Sequence, residues 1–186
     1  MAPQPPASIG AGAFTGCHHI KALSVSLLKG KASLLRDVLM EVAEELVVSL
    51  EMPEGKASLL FPAYFEEGVE NTPARIIEHH THGSGLLFRN CFVSRELQFL
   101  EYDKRFADAR GEEGEELLLR LALGRLRFPL HLEKASKEAY EAYLGEHFEA
   151  ALDLTARQRD TATSAFLMEW KHRGKAGRKK REDFSL

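Results

Sequence analysis

Three histidines and a glutamate crowd into the pentad Glu78-His79-His80-Thr81-His82. On a strand, side chains alternate between faces, so Glu78, His80 and His82 would share one face and His79 would take the other. Two imidazoles two residues apart can grip one divalent cation, and an adjacent carboxylate supplies a harder ligand. Glu78, His80 and His82 are therefore candidate metal ligands, and a small metal-binding protein or metal-dependent enzyme is one functional reading. The second constellation lies near the C-terminus, where Lys171, Arg173, Lys175, Arg178, Lys179, Lys180 and Arg181 fall between Lys171 and Glu182. Seven cations against Glu182 and Asp183 leave the last sixteen residues near +5, whereas eighteen cations against twenty-six carboxylates leave the rest near −8. Like charges at this density repel and extend a segment, and such a segment gains affinity for polyanions by releasing their condensed counterions. Nucleic acid is the leading partner on this reading, ahead of anionic lipid or an acidic protein surface.

The polyanion reading carries no sequence specificity. No aromatic residue interleaves with Arg178 to Arg181, so base stacking is not expected within that run. The tetrad Arg178-Lys179-Lys180-Arg181 also resembles a nuclear address, which matters only in a eukaryotic source.

Other chemistries are poorly supplied. The His-x-His pair resembles the opening of the metal motif in metallo-β-lactamase-like hydrolases, but Ser84 and Gly85 stand where an aspartate and a histidine would follow. Ser84 lies in a Gly-Ser-Gly turn with no strand-to-helix elbow predicted around it, so a nucleophilic serine is not expected. Neither a G-x-x-x-x-G-K-[ST] nor a G-x-G-x-x-G loop occurs, which argues against nucleotide hydrolysis. The segment Leu154 to Arg159 resembles the opening of helix-turn-helix domains in bacterial transcription regulators, although no recognition helix can be placed after it. No reaction can be assigned, and no cofactor is expected apart from the divalent metal of the alternative reading.

The elements that would position these groups follow from hydrophobic periodicity. Leu23, Val25 and Leu27 alternate as in a half-buried strand, and from Ser33 the apolar residues recur at helical spacing through Leu50, predicting a helix over 33–51. A short strand is expected from Ala57 to Tyr64 and a surface loop from Glu66 to Thr72. Arg75 to His82 and Gly85 to Val93 flank Gly83-Ser84, the signature of a β-hairpin with a two-residue turn. Glu96 to Tyr102 fits a further strand or the start of a helix running to Ala109, with the strand favoured; another strand is predicted from Leu126 to Leu132, with a helix from Glu112 to Leu123 between them. Two C-terminal helices follow, one started by Ser136 and one capped by Thr155 and Gln158, with Gly174 and Gly177 ending the second.

These elements predict an α+β fold: a mostly antiparallel sheet of about five strands covered by an N-terminal helix and a C-terminal helical pair. The expected organisation is a flexible arm over 1–19, a single globular α+β domain over 20–173 and a basic flexible tail over 174–186. Hydrophobic content of 44% and charged content of 28% are ordinary for a globular chain and argue against global disorder. Apolar runs fall well short of the roughly 20 residues that span a bilayer, so no membrane span is expected. Cys17 and Cys91 are too few for a disulfide framework. An intracellular, cytoplasmic setting is the matching expectation, and the arm lacks the features of a secretory signal. The functional expectation is a non-enzymatic binding or adaptor protein whose tail contacts a polyanion. Phe166 and Trp170 would be available for a second copy or another protein, and the eleven phenylalanines admit an apolar ligand if a cavity exists.

Overall fold

The computed structural model describes residues 10–26, 33–71 and 76–182 and has an α+β architecture. Strand β1 (Ala22–Ser26) leads through helix α1 (Ser33–Glu41) into β2 (Leu46–Met52), which turns through Pro53-Glu54 into β3 (Gly55–Phe61). β1 runs parallel to β2 and β3 antiparallel to it, giving a mixed sheet in the order β1-β2-β3. Leu46, Val48 and Leu50 face their register partners Phe61, Leu59 and Ala57, and all six are buried. Helix α1 is therefore half the predicted length. Leu46, Val48 and Leu50 satisfy a two-residue period as well as a helical one, and Val47-Val48 brings the β-branched crowding that favours the extended form.

The outer edge of β3 is covered. The Tyr102 hydroxyl accepts from the Leu60 amide at 2.8 Å and donates to the Leu60 carbonyl at 2.7 Å, filling both backbone positions with one side chain. Burial pushes the Tyr102 phenol far above the ordinary range, so it stays protonated and able to serve both. Next along this edge, the Leu130 amide donates to the Lys56 carbonyl and Pro129 bridges Ala57. An exposed edge is an invitation to pair with another chain, and these contacts close it.

After β3 the chain departs from expectation. The predicted loop is strand β4 (Phe65–Asn71), which pairs antiparallel with β5 (Ile76–His82) as a separate two-stranded ribbon. The residues after Gly83-Ser84 form a short helix, α2 (Gly85–Arg89), rather than the second arm of a hairpin. The glycines serve close approach here. Gly83 has φ +80°, and a Cβ on it would lie 2.7 Å from the Ala63 carbonyl oxygen, while a Cβ on Gly85 would lie 2.2 Å from that of Pro62. A minimal hairpin, β6 (Phe92–Val93) with β7 (Glu96–Leu97), then precedes α3 (Phe99–Glu112), so the favoured strand to Tyr102 is corrected and the helical alternative holds from Phe99.

Helix α4 (Glu115–Arg127) is central: Leu118, Leu119, Leu121, Ala122, Leu123 and Leu126 are all buried on it, and it packs on β3, α3 and the helices that follow. Gly124 lets it settle on β3, since a Cβ there would come 3.0 Å from the Ser58 carbonyl oxygen. The strand predicted over Leu126 to Leu132 is instead the end of α4 and an irregular connection touching β3 at one bridge. α5 (Lys134–Glu146) and α6 (Phe148–Arg157) break at His147, and α7 (Thr161–Glu182) closes the chain. Among the described residues, the expected sheet of about five mostly antiparallel strands is thus corrected to three small sheets of three, two and two strands, with seven helices. Asp160, not Thr155, caps α7: its Oδ1 accepts from the Thr163 amide at 2.9 Å, while Thr155 lies inside α6 and donates to the Leu152 carbonyl. No described helix is long and apolar enough to cross a membrane.

Two buried arginines lock the layers. Arg89 is 1% exposed and donates to the carbonyls of Leu39, Val42, Glu44, Pro62 and Gly85. Three of these lie at or beyond the end of α1, where helix carbonyls lack intrahelical partners. Arg125 pairs instead with Asp103, through contacts of 2.7 and 3.0 Å, and Tyr140 donates to the same carboxylate at 3.0 Å. Arg125 also reaches the carbonyls of Phe128 and Leu130, which ties the α4–α5 connection to the core. Among the described residues every buried side-chain nitrogen and oxygen has a partner.

Candidate functional site

The histidine pentad lies on the β4–β5 ribbon. Register sets Phe65 opposite His82, Glu67 opposite His80 and Val69 opposite Glu78. The two-residue alternation places positions 78, 80 and 82 on a shared strand face, as the sequence predicts; the Glu78 side chain lies outside the described residues. His80 and His82 are exposed. His82 stacks on Phe65 with ring centroids 4.5 Å apart, and its Nε2 lies 3.2 Å from Glu67 Oε2. Among the described residues no group of three His, Cys, Asp or Glu side chains converges to hold a metal. The carboxylate beside the imidazoles comes from the neighbouring strand, a pairing that sequence spacing does not reveal.

Three further histidines, His18, His131 and His147, and the Ser84 hydroxyl are structurally engaged. His18 Nδ1 contacts Glu44 at 2.5 Å, and this hydrogen bond holds the Glu44 carboxyl below its usual range. His147 Nδ1 contacts Glu115 at 2.6 Å and stacks on Tyr143, and His131 packs beside Phe99. Ser84 is buried, with its amide and hydroxyl both donating to Glu113 Oε1 at 2.8 and 2.6 Å. A serine whose hydroxyl proton is held by a carboxylate at the end of α3 ties α2 to α3. Cys91 is buried, its thiol donates to the Leu87 carbonyl, and burial pushes its pKa up, while Cys17 is exposed.

The basic residues lie on α7, whose backbone stays helical through Gly174 and Gly177 to Glu182. Glycine costs a helix interior only about 1 kcal/mol, so two glycines weaken a helix without ending it. The Lys171 ammonium sits 3.8 Å from the centroid of the Phe148 ring and 3.4 Å from Glu149, so this cation is partly committed to holding α7 on α6. Arg173 is exposed and has no hydrogen-bond or ion partner among the described residues. Lys175, Arg178, Lys179, Lys180 and Arg181 occupy successive turns of the same backbone, and their side chains lie outside the described residues. At 100° per residue, positions 171, 175 and 178 recur along one side of it.

At the N-terminal end, the amides of Gly12 and Phe14 donate to the two oxygens of Glu41 at 2.6 and 2.7 Å. Residues 1–9 and 183–186, the extremes of the predicted arm and tail, lie outside the described residues.

Sequence reasoning missed Arg89, Arg125 and Asp103. A signal was present: Arg89 interrupts the apolar run Gly85 to Val93, and Arg125 sits inside Leu121 to Phe128, where a charge among core positions must find a buried partner. The chain matches no protein-family model, and comparison with curated proteins and with solved structures returns no similar protein.

Proposed function

We propose that the protein is a non-enzymatic binding module that uses the basic half of α7 to contact a polyanion, nucleic acid foremost. One observation carries this reading: α7 is a single helix from Thr161 to Glu182, so a cationic segment is presented by the same element that is anchored in the core. Thr163 and Leu167 are buried on its first turns, and Asp160 caps it. A helix already formed spares part of the ordering entropy that an extended tail would lose on binding. The charge segregation, near +5 against near −8, favours encounter through this end of the molecule. The metal reading on Glu78, His80 and His82 has less behind it, because His82 is occupied by Glu67 and Phe65.

The test is a truncation after Gly174, which removes Lys175, Arg178, Lys179, Lys180 and Arg181. Binding to a labelled duplex oligonucleotide, followed by anisotropy at low salt, is expected to weaken at least about tenfold. The slope of log affinity against log salt should shrink by up to about 4.5, following the five cations removed. Equal affinity for the two forms would remove α7 as the contact.

A further inference from the structure

Beside the basic segment, between α5 and α7, lies a groove of about 610 Å³. Phe166, Trp170 and Arg173 follow one another at i, i+4 and i+7 on α7, and Lys137 and Glu141 at i, i+4 on α5, so each helix turns one face toward the opening. Leu126 from the end of α4 and Leu132 from the α4–α5 connection complete the apolar lining. The volume lies within the range of small-molecule sites, which is roughly 300–1,000 Å³.

The charges in the groove do not cancel. Glu141 is already engaged: the Trp170 indole donates to its Oε1 at 3.4 Å, and the Lys137 ammonium lies 3.7 Å from the same oxygen. Arg173 is left as the cation at the rim with no partner among the described residues. An apolar cleft with one uncompensated guanidinium at its mouth is complementary to a molecule with an apolar body and a single anionic head. A cationic amphiphile would meet Arg173 as a like charge, and a neutral one would leave it unmatched.

We propose that this groove is a binding site for a small amphiphilic anion, an acyl or aryl carboxylate, with its head on Arg173 and its apolar body against Trp170, Phe166, Leu126 and Leu132. The site shares Arg173 with the basic segment but draws the rest of its lining from elsewhere. Truncation after Gly174 leaves all of its lining in place, so the two readings can fail separately.

Trp170 is the only tryptophan in the chain, so intrinsic fluorescence reports on the groove directly. The experiment titrates dodecanoate, below its micelle concentration, into the full-length protein, the Arg173→Ala variant and the Gly174 truncation, with dodecanol as the neutral control. A saturable change is expected with dodecanoate in the full-length and truncated forms. Arg173→Ala should weaken dodecanoate about tenfold and leave dodecanol unchanged, and dodecanol should bind the unaltered protein about tenfold more weakly than dodecanoate. No saturable change, or equal dodecanoate affinity with and without Arg173, would overturn the proposal. So would a response confined to anionic vesicles, which would mark a membrane surface as the target in place of a single amphiphile.

Discussion

Arg89 and Arg173 show opposite uses of one side chain. Arg89, sealed in the core, donates to five backbone carbonyls, three of them at or beyond the end of α1, whereas Arg173, on the open side of α7, donates to nothing described. Burial pulls the Arg89 guanidinium down to about 10, which still leaves it charged at neutral pH. It is a cation stabilised by carbonyl dipoles and the face of Tyr64, with the Glu44 carboxylate adding charge attraction from nearby. The comparison separates polar groups consumed in holding the molecule together from those left to meet something else. Ser84, Asp103, Tyr102 and Arg125 all fall with Arg89, so the strongest chemistry in the interior is structural.

The comparison can be broken most decisively at Arg89. Arg89→Met should leave five carbonyls without their donor and cost on the order of 3–5 kcal/mol, read by chemical denaturation. A loss below about 1 kcal/mol would mean that water replaces the guanidinium and that the clamp is incidental. Arg125 offers a sharper contrast. Arg125→Met strands the Asp103 carboxylate and should cost a similar amount, but pairing it with Asp103→Leu removes the stranded charge and should recover most of the loss. Arg89 has no such rescue, because its acceptors are main chain. Failure of the double variant to recover would place the value of the pair in the carbonyls of Phe128 and Leu130.

A smaller effect is expected at the cap of α7. Asp160→Ala should cost about 1 kcal/mol at neutral pH. The Thr163 hydroxyl and amide hold the Asp160 carboxyl below its ordinary value, so its stabilisation is present above pH about 4 and is lost as pH falls through the depressed value. Denaturation curves of the two proteins should therefore converge in strong acid, and a gap that persisted there would assign the loss to helix propensity. Smallest of all, Arg173→Ala should change stability by no more than about 0.5 kcal/mol, even though it is the variant expected to weaken dodecanoate. A large destabilisation would show that Arg173 belongs with Arg89 after all.

Local pattern carried the sequence reading where one period was unambiguous. The α+β class, the first strand and the helical C-terminal third were legible because each repeats its period without competition. Leu46 to Leu50 was not, because its apolar residues satisfy two periods and only the partners Ala57, Leu59 and Phe61 decide between them. Gly83 and Gly85 misled for a different reason: glycine marks a turn or a close approach alike, and the Pro62 and Ala63 carbonyls that require it lie some twenty residues upstream. For the candidate groups, the histidines and the α7 cations could be listed from sequence. The groove could not, since Lys137, Phe166 and Arg173 come together only through the packing of helices far apart in the chain.

The topology of the main sheet also bears on the order in which the molecule assembles. β2 and β3 are joined by two residues and can zip together with almost no loop to close, whereas β1 reaches β2 only after α1 and its flanking segments have been brought round. Closing that larger loop has an entropic cost that the parallel pair recovers late. β1 is therefore the natural last arrival and the first strand to peel away when the molecule comes apart, taking with it the N-terminal segment that leans on Glu41.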